Sequence, residues 1–181
     1  MVNNVILKIL IVIAAASAIA AAVIFAKLKS EEKEKMYRAA ERIIQNELLD
    51  NSLKNPFLSG AVVDNSADCR LMINIKVKQE RNKQSFVFNP AKTIKIGRER
   101  VGNHIIVNEA TVTAYHCMIF ISADGKPVLQ DSSANGTFVK RGMKSYHLAN
   151  GQSCVIEDGD SIIVGSVKLK VKLFGFDISW I

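Results

Sequence analysis

From Ile9 to Ala26 the chain is apolar or small at every position except Ser17, and Val5, Ile6 and Leu7 extend the run across Lys8. At about 1.5 Å per residue, a helix over Val5–Ala26 measures roughly 33 Å, enough for a hydrocarbon core of about 30 Å. The pattern predicts a transmembrane helix and makes residues 1–29 an N-terminal anchor. A secretory signal peptide is the competing reading, because Ala14 to Ala22 offers small-residue cleavage sites. Its apolar core usually runs only about 7 to 15 residues, so the retained anchor is preferred. Ala14, Ala18 and Ala22 recur every four residues, which suits either a small-residue packing face or plain lipid-facing alanine.

The period then changes. Met36, Ala40, Ile43, Ile44, Glu47 and Leu48 fall at three- and four-residue steps, opposite Lys35, Arg38, Glu41, Arg42 and Asn46. This predicts a short amphipathic helix with Ser30 as N-cap and Glu31 and Glu32 at its positive end, unless the membrane helix simply continues. Its apolar stripe suits packing on the chain's own C-terminal domain, lying at a membrane surface, or pairing with a second copy as a homodimer. Asp50-Asn51-Ser52 and Asn55-Pro56 end the helix, and Ser59 to Asp68 reads as linker, so residues 30–69 form a stalk.

From Arg70 the period becomes two. Leu71, Ile73, Ile75 and Val77 alternate with Met72, Asn74, Lys76 and Lys78, the signature of a strand with one buried face. Polar Gln79 to Gln84 reads as a hairpin loop before Phe86-Val87-Phe88. Further strands are expected over residues 93–96, 116–122, 127–130, 137–139, 153–156, 161–164 and 167–173, with turns at Asp124-Gly125 and around Gly142. Ten or eleven short strands joined by turns, with no helical period between them, indicate an all-β sandwich over residues 70–175, followed by a tail over 176–181.

Composition adds orientation and excludes several function classes. Lys and Arg outnumber Asp and Glu by 24 to 17, a net charge of +7. Lys27, Lys29, Lys33, Lys35 and Arg38 follow the apolar run whereas only Lys8 precedes or enters it, so the positive-inside rule puts the C-terminal domain in the cytoplasm. Cys69, Cys117 and Cys154 are odd in number and widely spaced, which argues against a disulfide framework or a zinc site. There is no nucleophile elbow, phosphate-binding P-loop, metal-ligand spacing or paired catalytic carboxylate, so neither enzyme activity nor a cofactor or metal is expected. No aromatic-interleaved basic strand or recognition helix points to nucleic acid. Glu157, Asp158 and Asp160 read as a solvated turn rather than a cation site.

Three pieces of the β-domain carry chemistry: Thr93-Ile94-Lys95-Ile96-Gly97-Arg98, Thr113-Ala114-Tyr115-His116, and Asp131 to Val139 with Asn135-Gly136-Thr137 inside it. Each is a strand end beside a loop tip. The combination, with Asn103 after Gly102 and the late Gly159-Asp160, resembles the forkhead-associated (FHA) domain, a β-sandwich whose loops read phosphothreonine peptides. The resemblance implies that Arg98 and Thr113 contact the phosphate and Asn135 the peptide backbone. It makes Gly97, Asn103, His116, Gly136 and Thr137 structural, with His116 no catalyst. Ala114 and Ala134 depart from the family's more polar choices beside the site, and Arg100, Lys140 and Arg141 are candidates to compensate. The implied molecule is a single-pass protein of the cell membrane. Its cytoplasmic FHA domain recruits a threonine-phosphorylated partner, a Ser/Thr kinase or its substrate, and the alternative is a phosphate-independent scaffold in a membrane assembly.

Overall fold

The structure, a computed structural model, describes residues 2–54, 69–79 and 82–178. The chain divides into two compact units, Met1–Ala39 and Ala40–Ile181. The linker expected over Ser59 to Asp68, the Asn55-Pro56 stop before it and the last three residues of the expected tail lie outside the described residues.

Instead of two helices there is one, α1, running unbroken through Val2–Lys54. Ser30 is not a cap but an interior residue, because Ala26 to Glu34 contains no Gly or Pro and is dominated by good helix formers. In the first unit the apolar window of α1 reaches a mean hydropathy of 2.4, and none of it is buried within the protein. Leu10, Val12, Ile19, Ile24 and Phe25 are all exposed. A helix apolar on every side is long and apolar enough to cross a membrane.

Among the described residues the second unit holds eleven strands. β1 (Cys69–Gln79), β2 (Asn82–Phe88), β7 (Thr137–Arg141), β8 (Lys144–Leu148), β10 (Ser161–Val164) and β11 (Val167–Asp177) form one sheet in the order β2-β1-β11-β10-β7-β8. β3 (Ile94–Gly97), β4 (Ile105–Ile106), β5 (Cys117–Ile121), β6 (Pro127–Asp131) and β9 (Ser153–Val155) form the other, in the order β4-β3-β5-β6-β9. Most of the loop expected from Gln79 to Gln84 is strand, since Gln79 pairs with Asn82 and Val77 with Gln84; residues 80–81 lie outside the described residues. Ile73, Ile75, Ile96, Ile119, Leu129, Val139, Leu169 and Val171 fill the space between the sheets, each essentially inaccessible. Cys117 lies among them, and burial pushes its thiol up to about 12, which keeps it protonated and inert.

The C-terminal turns of α1 pack on the outer face of the six-stranded sheet. Ala40 and Ile44 are buried, as are Met72, Asn74 and Phe176 on that face. Glu47 accepts a hydrogen bond from Asn89 Nδ2 (2.8 Å) and pairs with Lys92 (3.2 Å) and Arg70 (3.8 Å). The amphipathic stripe thus finds its partner in the chain's own β-domain.

The acidic turn before β10 is solvated at Glu157 and Asp158, as expected, but not at Asp160. Asp160 is buried, and Arg141 grips it through Nε (3.0 Å) and Nη2 (2.8 Å) while reaching Glu157 with Nη1 (2.5 Å) and the Val155 carbonyl with Nη2 (2.8 Å). This forked pairing ties β7 to the turn before β10 and raises the Arg141 pKa, chiefly through the Asp160 hydrogen bonds. Removing one partner of a buried pair strands the other charge. Arg141→Ala should therefore lower the unfolding free energy by about 3 kcal/mol in urea titrations, with Arg141→Lys recovering only part because it lacks the planar fork. A loss within about 1 kcal/mol would mean the pair behaves as an ordinary surface bridge.

Candidate functional site

The three motif pieces converge because the strands that carry them pair. β3 runs antiparallel to β5, with Ile96 opposite Cys117, so Arg98 emerges beside the segment that precedes β5. There the Arg98 N–H donates to the Thr113 carbonyl (3.1 Å) and the Glu99 N–H to the Ala114 carbonyl (3.1 Å). Gly97 permits this closeness: a Cβ at that position would collide with the Ala114 carbonyl oxygen. The Arg98 side chain is exposed and, among the described residues, forms no ion pair. The neighbouring Glu99 carboxylate instead accepts from the Arg100 N–H (2.8 Å).

Asn103 spans the gap behind Arg98. Its Nδ2 donates to the carbonyls of Glu99 (2.9 Å) and Ala114 (2.8 Å), closing the β3–β4 loop against the β4–β5 loop. His116 does the same one layer deeper. Fully buried, it accepts the Thr113 N–H on Nδ1 (3.2 Å), and its backbone N–H donates to the Ile96 carbonyl (2.9 Å). Its Nε2 is buried near the backbone of Gly136 without a hydrogen bond of good geometry. Burial lowers the His116 pKa, and the nearby Asp131 charge only partly offsets that effect.

The β6–β7 loop is built on Asp131. Its buried carboxylate accepts the Ser133 N–H (3.0 Å), the Ser133 hydroxyl (2.8 Å) and the Thr137 hydroxyl (2.5 Å). Ser133 Oγ in turn accepts the Gly136 N–H (2.8 Å). Gly136 sits at a φ of 80°, and a Cβ there would strike His147 and come within 2.8 Å of the Leu148 carbonyl, so no other residue fits the turn. Asn135 is held at the exposed tip with one amide proton donated to the Thr111 carbonyl (2.8 Å). Thr113 Oγ1 accepts the Ala134 N–H (3.1 Å), which leaves its own hydroxyl proton available to an incoming acceptor.

Arg98, Thr113 and Asn135 therefore sit on three loops, the one bearing Thr113 bonded to each of the other two, and Asn103, His116, Gly136 and Thr137 hold those loops from behind. Sequence reasoning gave no role to Asp131 and Ser133, although both lie inside the motif; an acidic residue two positions before a serine, ahead of an Asn-Gly turn, is the only local signal of their role. It also proposed Arg141 as a compensating cation, but that side chain is committed to Asp160 and Glu157. Beside the loops lies a recess of about 220 Å³ lined by Lys95, Asn103, Tyr115, Cys117, Met118 and Ser132. Among the described residues no group of His, Cys, Asp and Glu could hold a metal ion.

Residues 94–165 match the family model of the FHA domain, so the β-domain carries that module. Several solved structures are similar at low identity. The MEK1 FHA domain is 15% identical with a TM-score of 0.48, covering 56% of this chain and 89% of that one. The FHA domain of the CT664 protein from Chlamydia trachomatis is 20% identical with a TM-score of 0.46, covering 56% and 96%. The FHA domain of a hypothetical protein from Arabidopsis thaliana is 27% identical with a TM-score of 0.47, covering 56% and 83%. No curated protein matches the chain.

The His116 environment has a testable consequence. The unfolded chain takes up the histidine proton near 6.5, whereas the folded protein takes it up at lower pH, so between those values the unfolded state binds more protons. The stability that this histidine contributes is fully present above 6.5 and is lost as the pH drops from there through the folded pKa. Thermal melts across this window should show a steeper acid-side decline in the native protein than in His116→Asn, which keeps an acceptor for the Thr113 N–H; equal slopes would assign the decline to other groups.

Proposed function

We propose that the β-domain reads phosphothreonine peptides and that α1 holds it at the cytoplasmic face of the cell membrane, where it recruits a threonine-phosphorylated protein, a Ser/Thr kinase or its substrate. The single observation carrying this reading is the exposed Arg98 guanidinium, free of acidic partners among the described residues, on a loop joined by backbone hydrogen bonds to the one bearing Thr113. A planar guanidinium donates two parallel hydrogen bonds to a phosphate, a geometry no ammonium reproduces. The Thr113 hydroxyl adds a donor, and Asn135 offers its Oδ1 and its remaining amide proton to the peptide backbone. FHA domains of other proteins bind such ligands; the MEK1 FHA domain, for one, has been solved in complex with a HOP1 phosphothreonine peptide. Recognition of this kind makes and breaks no covalent bond.

Support for the anchor comes from the apolar surface of α1 over residues 10–26 and the cluster of lysines after it. A second reading, a phosphate-independent scaffold, is favoured by Ala134, which presents only a backbone N–H beside the site, already given to Thr113.

Hydrogen bonds to a charged group contribute about 1.5 to 3 kcal/mol each, so Arg98→Ala should weaken phosphothreonine-peptide binding by at least about a hundredfold. In amide-shift titrations with a degenerate library, phosphothreonine peptides should move Arg98, Thr113 and Asn135, and unphosphorylated peptides should not. Partner capture that survives Arg98→Ala would favour the scaffold. For the anchor, protease added outside intact cells should leave the β-domain undigested; digestion would place it outside the cell.

A further inference from the structure

The outer face of the six-stranded sheet is divided in two. One end, around Met72, Asn74 and Phe176, is buried under the C-terminal turns of α1. Across the other end the strand register lays out rows of lysines. Lys83 stands opposite Lys78 and Lys78 opposite Lys168 in one row; in the next, Lys76 faces Lys170, and Ser161 links Lys170 to Lys140. Lys172 continues the series on β11. Lys78, Lys140, Lys168, Lys170 and Lys172 are exposed, and among the described strand residues of this sheet the one acid, Asp177, belongs to the opposite set of alternating positions. Like charges directly opposite one another on neighbouring strands destabilise a sheet, so a face that keeps Lys78 between Lys83 and Lys168 bears a folding cost.

We infer that this lysine face binds the anionic lipid surface of a membrane. The cations are all ammonium groups, compact point charges without the planar fork that recognises one fixed phosphate, and they spread over a gently twisted plane with strands about 4.8 Å apart. That arrangement suits a fluid, laterally averaged negative surface, to which each lysine contributes roughly a fivefold gain in affinity. At the rim, Phe138 is 43% exposed beside His147, with ring centroids 4.6 Å apart, and an exposed Phe can bury its ring at the boundary between headgroups and acyl chains. The choice of lipid over other polyanions rests on the anchor reading of α1, since tethering would hold the domain at high effective concentration next to a bilayer. The face lies on strands and shares no residue with the Arg98, Thr113 and Asn135 loops, so the two surfaces can work together.

The test reconstitutes the full chain in phosphatidylcholine vesicles, with or without phosphatidylserine. A membrane-impermeant amine-reactive reagent then reports residue-by-residue modification by mass spectrometry. In phosphatidylserine vesicles at low salt, modification of Lys78, Lys140 and Lys168 should fall about fivefold or more and recover at high salt, while Lys126, in the turn between β5 and β6, stays unchanged. In the triple variant K168Q/K170Q/K172Q, the protection of Lys78 and Lys140 should disappear while phosphopeptide binding is retained. Equal modification in both lipids overturns the inference, as does protection by an oligonucleotide but not by phosphatidylserine. If carbonate extraction shows that the chain is not inserted, the anchor reading fails separately. The lysine face then still requires salt-sensitive co-flotation with phosphatidylserine vesicles only, and its absence refutes it.

Discussion

The buried carboxylate of Asp131 is the interaction on which the site depends. A carboxylate taken out of water costs several kcal/mol unless its oxygens are fully hydrogen-bonded. Here two hydroxyls and a backbone N–H converge on it from the six residues that follow. Those donors define the path of the β6–β7 loop, and the same residue's backbone N–H and carbonyl engage Gln152 and Gly151 across the loop before β9. The requirement to satisfy one charge therefore sets the height at which Asn135 stands and the turn that Gly136 must make.

The remaining loops are attached to that frame by side chains that bond to a neighbouring loop's main chain, two of them side chains that would also meet a ligand. Thr113 takes the Ala134 N–H, Asn135 gives to Thr111, and Asn103 bridges Glu99 and Ala114. A site assembled before any ligand arrives loses little conformational entropy on binding. The exception is Arg98, whose backbone is fixed by Thr113 while its side chain stays in solvent. Loose long side chain on rigid backbone gives reach without loss of register.

The six-stranded sheet shows how one element can serve several surfaces at once. Its inner positions make the core with the other sheet, and one end of its outer face makes a second apolar layer with α1. The opposite end of that face is left to solvent and to lysine. Glu47 stands near the boundary, drawing Arg70 and Lys92 toward the helix.

The sequence alone determined whatever depends on short-range periodicity and on local chemistry. The apolar run of α1, the alternation of β1 and the glycine turns are legible because each element's period is set by its own backbone geometry. The motif residues were likewise readable as a group. Elements without a period of their own were not. β8 presents Lys144-Ser145-Tyr146-His147 to solvent and buries only Leu148, so an edge strand looks like loop until β7 pairs with it. β4 is two residues long and exists only because β3 lies parallel beside it. Asp160 reads as a surface acid until Arg141, nineteen positions earlier, closes over it. The lysines of β1, β2, β7 and β11 are scattered along the chain, and only the strand order places them on one face. In each case the deciding partner lies far away in sequence, so its effect on burial and charge has no local signature and is settled by the tertiary structure.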